Sequence, residues 1–253
     1  MKTLVARGLR AALPSWARRA FVHIGYHLEP DEFARFAHTY CIAPTMTVGL
    51  ALVAARGFNP QTIVDVGAYE GGWTREAKCV WPNAKAILVE ANRAKLAGLQ
   101  GLGEVHCALL GAEQGRTVEF NLMETGSSVF SENSAVEREV EIRTITTLDA
   151  LNLDISTPSL LKIDAQGYEL EILKGSAATL PAFDAVLLEI ALIEINKGAP
   201  LLHEVTMFMD QLGFAACEVF ELHRRPLDRA LSQMDIFFVR KKSPLLSNTR
   251  YSV

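Results

Sequence analysis

Apolar and polar positions follow two different periods along this chain. Before Gly57 the apolar residues have helical spacing, and residues 47–56 form an apolar run that the glycine ends. From Gln61 onward, short runs rich in β-branched residues alternate with helical stretches. That alternation is typical of parallel strands joined by crossover helices. The sequence therefore predicts three parts: an N-terminal helical cap (1–57), a main domain (58–242) and a C-terminal tail (243–253).

The main domain contains predicted strands and helices in alternating order. The strands are expected at residues 63–66, 86–90, 105–110, 160–164, 185–190, 215–222 and 235–239. The helices are expected at residues 73–80, 93–102, 168–173 and 201–212. Because no helix separates the last two strands, they are expected to form an antiparallel edge on a mostly parallel sheet. The predicted fold class is α/β, a doubly wound, Rossmann-like fold with a seven-stranded sheet.

Two further runs interrupt this alternation after residue 110. Residues 117–122 and 139–143 alternate like exposed strands, and a polar stretch at 124–137 lies between them. Ser127 and Ser128 lie in this stretch, directly after a glycine. Long polar insertions at the rim of an α/β sheet are usual places for a lid. We expect this loop to close over a ligand.

The composition is that of a folded protein with a large core. Of the 253 residues, 49% are apolar and 21% are charged, which excludes an intrinsically disordered chain. The net charge of -4 gives no sign of nucleic-acid binding, since phosphate-binding surfaces carry a basic excess. Nucleic acid is therefore not expected as a partner.

The cysteines and the apolar runs bear on the compartment. Cys41, Cys79, Cys107 and Cys217 have no C-x-x-C spacing, which indicates reduced thiols in a cytosolic core rather than zinc ligands or a redox pair. Charged residues interrupt the apolar stretch near the N-terminus, and no apolar run approaches the ~20 residues of a membrane span. We therefore expect a cytoplasmic protein.

The first twenty residues are strongly basic. They carry a formal charge of +5 without an acidic residue, and Leu4, Leu9, Leu13 and Trp16 lie between the basic positions. This pattern fits a peripheral contact with an anionic membrane surface or a lipid-linked glycan. A solvated helix face or a contact within a homodimer is the alternative, and the sequence leaves both open.

A glycine-rich turn follows the first predicted strand and opens a helix. It runs from Asp65 to Gly72, and its glycines are spaced G-x-x-x-G-G rather than the G-x-G-x-x-G of dinucleotide-binding proteins. Doubly wound sheets bind cofactors at this place. A carboxylate at Asp65 would repel a pyrophosphate, whereas S-adenosylmethionine has no phosphate and carries an ammonium and a sulfonium group. The turn therefore favours S-adenosylmethionine over a dinucleotide.

A second acidic residue ends the second predicted strand. Glu90 lies 23 residues beyond Gly67, close to the ~20-residue interval at which an acid binds ribose hydroxyls in such folds. Its carboxylate can accept both hydrogen bonds of a 2′,3′-diol. Since NAD and S-adenosylmethionine both contain this diol, Glu90 supports a nucleoside cofactor without choosing between them.

Two carboxylates lie at the ends of predicted central strands. Asp164 ends one strand and Glu189 lies near the end of the next, so both are expected to face the crevice where ligands bind. Transfer of a group to a hydroxyl needs a base, and either acid is a candidate. Lys162, on the same strand face as Asp164, would lower the pKa of that carboxyl. Helix capping is the structural alternative for each acid, and no ligand spacing demands a metal.

Several segments together resemble the FkbM-type methyltransferases. The resemblance covers residues 63–239, and its most specific segment runs from Leu161 to Gly175. Further matching segments are Val64-Asp65-Val66-Gly67-Ala68, Val89-Glu90-Ala91-Asn92, Gly126-Ser127-Ser128, Thr147-Leu148-Asp149-Ala150-Leu151, Leu188-Glu189-Ile190 and Asp235-Ile236-Phe237-Phe238-Val239. Gln166 stands where many members have Glu, which removes a charge beside the candidate base.

The resemblance implies a class I methyltransferase fold with S-adenosylmethionine as methyl donor. It also implies, for most members, O-methylation of a hydroxyl on a sugar, a glycan or another natural product. The predicted catalytic residues are Asp164 and Glu189, the predicted donor-binding residues are Asp65, Gly67, Ala68, Tyr69, Gly71, Glu90, Asn92 and Ala108, and the predicted acceptor-binding residues are Ser127 and Ser128. A nicotinamide-dependent oxidoreductase and a non-catalytic donor-binding scaffold are the alternatives, although no serine, tyrosine and lysine set is placed for hydride chemistry.

Overall fold

The structure, a computed structural model, describes residues 43–123, 126–133 and 138–252. Its four α-helices in these ranges are α1 (Met46–Ala55), α2 (Gly72–Val80), α3 (Glu169–Lys174) and α4 (Leu202–Gln211). Its strands there are β1 (Thr62–Val66), β2 (Lys85–Glu90), β3 (Glu104–Cys107), β4 (Leu109–Leu110), β5 (Thr117–Leu122), β6 (Glu139–Thr146), β7 (Ser159–Ile163), β8 (Ala185–Ala191), β9 (Phe214–Arg224) and β10 (Leu231–Arg240). Short 3-10 helices occur at Arg93–Leu99, Asp149–Leu151, Leu180–Ala182 and Pro244–Leu246.

The main sheet has seven strands in the order β3-β2-β1-β7-β8-β10-β9. All neighbouring pairs from β3 to β8 are parallel, whereas β10 runs antiparallel to both β8 and β9. The predicted Rossmann-like fold with an antiparallel component at its edge is therefore confirmed, and the reversed strand lies one place inside the edge. The chain switches direction across the sheet between β1 and β7, so the crevice at their carboxyl ends is where this topology binds ligands.

Side chains of the central strands are buried on both faces of the sheet. Every residue of β1 and β7 is buried. Neighbouring positions such as Ile63 and Val64, or Leu160 and Leu161, contribute to two different apolar clusters because successive strand residues point to opposite faces. Burial on both faces explains why these strands appear in the sequence as continuous apolar runs.

The predicted insertion forms a second, three-stranded sheet in the order β4-β6-β5. Strand β5 has the predicted bounds, and β6 extends three residues beyond the predicted run. The expected strand at residues 105–110 is divided, because β3 pairs with β2 in the main sheet and β4 pairs with β6 in the small sheet. The expected helix at 93–102 is a shorter 3-10 helix, Arg93–Leu99.

Helix α1 packs on the face of the sheet opposite α3. Its buried residues Met46, Leu50 and Val53 share an apolar cluster with Phe220 and Phe237. Residues 44–253 form one compact unit. The predicted cap at 1–57 extends mostly outside the described residues, and its boundary stays a prediction. The basic segment at 1–20 also lies outside them, so its contact with an anionic membrane surface or within a homodimer stays a prediction.

Two predictions of buried side chains need correction. Cys79 and Cys107 are exposed free thiols rather than core residues, and Cys41 lies outside the described residues. Cys79 lies on α2, whereas Cys107 lies on β3, the edge strand of the sheet. His106 on the same strand is half-buried, and its Nε2 lies 2.8 Å from Oε1 of Glu104. Within the described ranges no helix combines the length and apolar character that a membrane span needs.

Candidate active site

A cavity of about 300 Å³ opens at the carboxyl ends of β1, β2 and β7. Its walls come from the turn after β1, the end of β2, the small sheet, the insertion loop and the segment after β7. Nine of the predicted site residues line it: Gly67, Ala68, Tyr69, Glu90, Asn92, Ala108, Ser127, Ser128 and Asp164. The predicted residues Asp65, Gly71 and Glu189 are not among its lining residues.

The turn after β1 depends on glycine at position 67. Gly67 has φ +76°, and a Cβ atom there would lie 1.9 Å from the backbone oxygen of Asp164. Only glycine allows this close approach of the turn to the end of β7. The backbone N–H groups of Gly67 and Ala68 both donate to the carbonyl of Val89, at 2.9 and 3.2 Å. These contacts join the ends of β1, β2 and β7 around one wall of the cavity.

Glu90 is buried at the end of β2, with 7% exposure. One carboxylate oxygen accepts a hydrogen bond from the backbone of Tyr69 at 2.7 Å, and the other accepts one from the backbone of Asn92 at 2.6 Å. Burial raises the pKa of Glu90, although these two hydrogen bonds oppose the shift. Each oxygen keeps a second lone pair, so the carboxylate can still accept hydrogen bonds from two vicinal hydroxyls.

Asp65 does not face the cavity as its position in the sequence indicated. Its side chain is 1% exposed; Oδ2 accepts a hydrogen bond from Thr74 at 2.6 Å, and Oδ1 lies 3.4 Å from the ammonium of Lys162. The physical reason is this buried lysine, which lies on the neighbouring strand β7 at the position paired with Asp65. The acidic lining expected from Asp65 comes from Glu90 and Asp164 instead.

Gly71 lies behind the cavity wall. It has φ +78° and precedes α2, and a Cβ atom at this position would lie 2.3 Å from Cδ1 of Leu102. Its neighbour Gly72 lines the cavity. Gly71 therefore shapes the turn through its backbone conformation, and a direct contact with a donor stays a prediction.

Asp164 and Glu189 are joined by one amide. Nε2 of Gln166 donates to Oδ1 of Asp164 at 3.0 Å and to Oε2 of Glu189 at 2.8 Å. Glu189 also accepts a hydrogen bond from Nε2 of Gln233 at 2.9 Å, and Asp164 lies 3.3 Å from the ammonium of Lys162. The two acids are therefore linked, although only Asp164 lines the cavity, and a glutamate in place of Gln166 would have no donor for this bridge.

The two carboxyls have opposite electrostatic surroundings. Burial would raise the pKa of Asp164, but the charge of Lys162 and the hydrogen bond from Gln166 outweigh it and lower the pKa. Burial raises the pKa of Glu189 well above its ordinary value, and the charge of Asp164 adds to this shift. Asp164 is therefore held ionised at the cavity wall by the ammonium of Lys162, which lies 3.3 Å away.

Ser127 and Ser128 line the cavity, but their hydroxyls are engaged with the backbone. Oγ of Ser127 donates to the carbonyl of Met123 at 2.7 Å. Oγ of Ser128 donates to the carbonyl of Gln166 at 3.0 Å and accepts from the backbone N–H of Phe130 at 3.1 Å. Ser128 therefore holds the insertion loop against the segment after β7, and Ser127 ties the loop to the residue after β5.

Sequence reasoning missed a second polar group beside Glu189. His223 on β9 lies with its Nε2 2.9 Å from Oδ2 of Asp235 and 3.9 Å from Oε1 of Glu189. One feature of the sequence could have indicated it: Asp235 is an acidic residue at the start of the apolar run that predicts a buried strand. The apolar cavity residues Phe120 and Tyr168 had no comparable signal, because an aromatic residue in a sequence does not show which cavity it faces.

The sequence matches the family model described as methyltransferase FkbM domain over residues 65–216, more than half of the 253-residue chain. None of the curated proteins matches the sequence significantly. Among solved structures, precorrin-6y C5,15-methyltransferase from Geobacter metallireducens is 14% identical, with 76% of this chain and 86% of that chain covered and a TM-score of 0.43. An O-methyltransferase from Bacillus cereus in complex with SAH is 13% identical, with 77% and 80% covered and a TM-score of 0.42.

The match spans the glycine turn, Glu90, the small sheet and the bridged pair Asp164 and Glu189. It decides against the nicotinamide-dependent alternative, whose glycine spacing the turn also lacks. The chain belongs to the FkbM methyltransferase family and is an S-adenosylmethionine-dependent enzyme.

Proposed function

We propose that this enzyme transfers the methyl group of S-adenosylmethionine to a hydroxyl oxygen of a sugar, a glycan or another natural product. The observation that carries the proposal is the position of Asp164. An ionised carboxylate lies at the wall of the cavity that Glu90 also lines, beside the glycine turn. A hydroxyl must lose its proton as its oxygen takes the methyl group, and a carboxylate at hydrogen-bond distance can accept that proton.

The donor would lie along the turn after β1. In this arrangement Glu90 accepts hydrogen bonds from the ribose hydroxyls, and the backbone of Gly67, Ala68 and Tyr69 forms the wall beside them. Asn92 and Ala108 line the same end of the cavity. Glu90 and Asp164 are both negative, which favours a ligand with an ammonium and a sulfonium over one with a pyrophosphate. Bound S-adenosylmethionine supplies the electrophilic methyl group.

The base would be Asp164, with Glu189 as the second candidate. Asp164 lines the cavity, whereas Glu189 lies one amide further along the sheet edge, behind Gln166. The acceptor would enter between the insertion loop and this pair, close to Ser127 and Ser128. Their hydroxyls are already engaged with the backbone, so we expect these serines to shape the acceptor site through the loop that they hold. A cytoplasmic location remains part of the proposal.

The first test is isothermal titration of the purified full chain with S-adenosylhomocysteine, with NADH as comparison. We expect micromolar binding of the first ligand and none of the second. Hydroxylated glycans are then screened as acceptors with S-adenosylmethionine, and the modified atom is identified by NMR. Methylation of nitrogen or carbon only, on any accepted compound, would contradict the proposal.

The base assignment has its own test in two conservative variants. Asp164→Asn keeps the size of the side chain but cannot accept the proton, so turnover should fall by ~10² to 10⁴. Affinity for S-adenosylhomocysteine should change little. Glu189→Gln measures the second candidate in the same assay, and Asp154→Asn, with a side chain 88% exposed, is the control. Unchanged turnover in both active-site variants would show that neither acid is the base.

A further inference from the structure

Strands β9 and β10 bring together three side chains that carry metal-binding atoms. They are Glu221, His223 and Asp235, and we refer to them as the His223 cluster. Glu221 lies at a register shift of β9 against β10, with φ +29°, and its Oε2 lies 3.8 Å from Nε2 of His223. Asp235 lies on β10, where it pairs in the ladder with Glu189 of β8. The cluster therefore lies directly beside the bridged pair of the active site.

The distances within the His223 cluster fit a common ion. Nε2 of His223 lies 2.9 Å from Oδ2 of Asp235 and 3.8 Å from Oε2 of Glu221, and one ligand atom from each residue lies within 4.8 Å of the others. Atoms that each lie ~2.1 Å from one ion are at most ~4.2 Å apart, so only small side-chain movements are needed. Oε1 of Glu189, 3.9 Å from the same Nε2, is a fourth potential ligand.

Acidic side chains outnumber basic ones in this part of the described structure. Asp235 is 5% exposed, and the side chain of Glu189 is 13% exposed. They are partners in an antiparallel ladder, an arrangement in which like charges destabilise the sheet. The imidazole of His223 offers at most one positive charge to the three carboxylates, and the nearby ammonium of Lys162 is already paired with Asp65 and Asp164. A divalent ion would balance the negative charge of Asp235, Glu189 and Glu221 together, whereas a hydrogen bond from His223 stabilises only Asp235.

The ligand set indicates the class of ion. One imidazole nitrogen with two or three carboxylate oxygens suits Mn²⁺, Fe²⁺ or Zn²⁺ better than Ca²⁺, which takes oxygen ligands only. Three or four protein ligands leave coordination positions open to another oxygen. The cluster adjoins Glu189 but does not line the cavity, so an acceptor hydroxyl would have to extend past Asp164 and Glu189 to fill such a position. This last step rests on the function proposed above.

We propose that the His223 cluster is a binding site for a divalent transition-metal ion at the acceptor end of the active site. In this site Glu221, His223 and Asp235 are the protein ligands, and Glu189 lies close enough to join them. The ion would bind oxygen atoms of the acceptor and lower the pKa of the hydroxyl that receives the methyl group. The reaction then has a second source of activation beside the carboxylate base.

The test is titration of the chelator-treated full chain with MnCl2, followed by calorimetry and by the electron paramagnetic resonance of free Mn²⁺. We expect saturable binding of one ion per chain. Glu221→Gln and His223→Gln each remove a ligand at a half-exposed position, and each should weaken binding at least tenfold. Circular dichroism of both variants checks that they remain folded.

The matched control is His106→Gln. His106 forms an imidazole–carboxylate contact of 2.8 Å with Glu104, nearly the distance in the His223 cluster, but no second carboxylate completes a group there among the described residues. This variant should bind Mn²⁺ like the parent protein. Absence of saturable binding, or equal binding by all three variants, would overturn the proposal. Titration of the same samples with S-adenosylhomocysteine tests the proposed function separately, because donor binding does not need the cluster.

Discussion

Glu90 shows how one buried side chain can serve both the fold and a ligand. Its two oxygens accept backbone hydrogen bonds from Tyr69 and Asn92, which join the glycine turn to the residues after β2. The carboxylate is thereby oriented before any donor binds, and ordering it costs no further entropy at that moment. Its position at the end of a strand was readable in the sequence, whereas its two backbone partners were not.

We predict that Glu90→Gln weakens binding of S-adenosylhomocysteine by ~10- to 100-fold. The amide keeps one acceptor oxygen, but its NH2 group must face the backbone N–H of either Tyr69 or Asn92, since the two oxygens of Glu90 each accept one of these. Loss of a hydrogen bond to a charged group costs ~1.5 to 3 kcal/mol, and ~1.4 kcal/mol corresponds to a factor of ten. Isothermal titration measures the change.

The control for this variant is Glu104→Gln. Glu104 is a strand glutamate on β3 whose carboxylate pairs with His106 and Lys85 and does not line the cavity. Its substitution should leave the affinity within twofold of the parent value. If Glu90→Gln binds S-adenosylhomocysteine as tightly as the control does, Glu90 makes no productive contact with the donor.

At the scale of elements, the sequence predicted the strands that are buried on both faces most accurately. The predicted runs at 63–66, 86–90 and 185–190 each coincide with the observed strand to within one residue at either end. Their continuous apolar character follows from burial on both faces. The prediction of one strand at 105–110 is wrong. Its two halves pair with strands of different sheets, and the apolar pattern does not reveal the pairing partner.

The candidate site was predictable where it depends on strand ends and unpredictable where it depends on side-chain direction. Gly67, Glu90 and Asp164 follow from the rule that ligands bind at the carboxyl ends of parallel strands. Asp65 ends up beneath the cavity because Lys162 attracts it from the neighbouring strand. Asp235 lies at a register shift between β9 and β10, and such irregularities cannot be located from alternation alone.

The insertion loop is held by one asparagine at the end of β5. Asn121 is 8% exposed, and its side-chain amide donates to the carbonyls of Ser128, Val129 and Phe130 at 3.2 to 3.4 Å. Its backbone also exchanges two hydrogen bonds with Ser128, at 2.8 and 3.1 Å. The two N–H groups of this amide are shared among three successive carbonyls of the loop over the cavity.

We predict that Asn121→Ala loosens the loop at residues 126–133 and speeds its proteolytic cleavage. The substitution leaves the carbonyls of Val129 and Phe130 without this donor, which costs ~1 to 3 kcal/mol if they stay buried, so the loop should open to water instead. The carbonyl of Ser128 keeps the backbone N–H of residue 121. Limited proteolysis with mass spectrometry measures the rate, and S-adenosylhomocysteine should slow it. Asn133→Ala, which removes one exposed hydrogen bond in the same loop, is the control. Equal cleavage of the two variants would refute the anchoring role of Asn121.

At the scale of the whole molecule, the buried charged residues are concentrated at the end of the sheet where the parallel strands have their carboxyl ends. Asp65, Glu90, Lys162, Glu169 and Asp235 are each at most 7% exposed. Charges buried in this way seldom add stability, because their desolvation offsets much of the attraction between them. The apolar clusters on both faces of the sheet supply the stability that keeps this edge folded.

The desolvation of one of these residues, Glu169, makes the stability of the protein depend measurably on pH. It is 4% exposed at the start of α3, and its Oε1 accepts hydrogen bonds from the backbone of Ala165 and Gly167 at 2.9 and 3.0 Å. Burial raises the pKa of Glu169 to about 7 from its ordinary value of 4.5. The folded protein therefore binds this proton more tightly than the unfolded chain does. The stability that Glu169 contributes is fully present below pH ~4.5 and is lost as the pH rises through about 7.

We predict that Glu169→Gln is more stable than the parent protein at pH 8 but not at pH 5. Glutamine keeps the acceptor oxygen for Ala165 and Gly167 and cannot ionise, so only the parent must bury a charge at high pH. The difference in unfolding free energy should shift by on the order of 3 kcal/mol in favour of the variant across this range. Urea unfolding at pH 5, 6, 7 and 8 measures it. Glu171→Gln on the same helix, where the carboxylate pairs with Lys174 at the surface, should show a flat difference. A flat difference for Glu169→Gln as well would mean that the carboxyl of Glu169 is ionised throughout and is stabilised by its backbone donors.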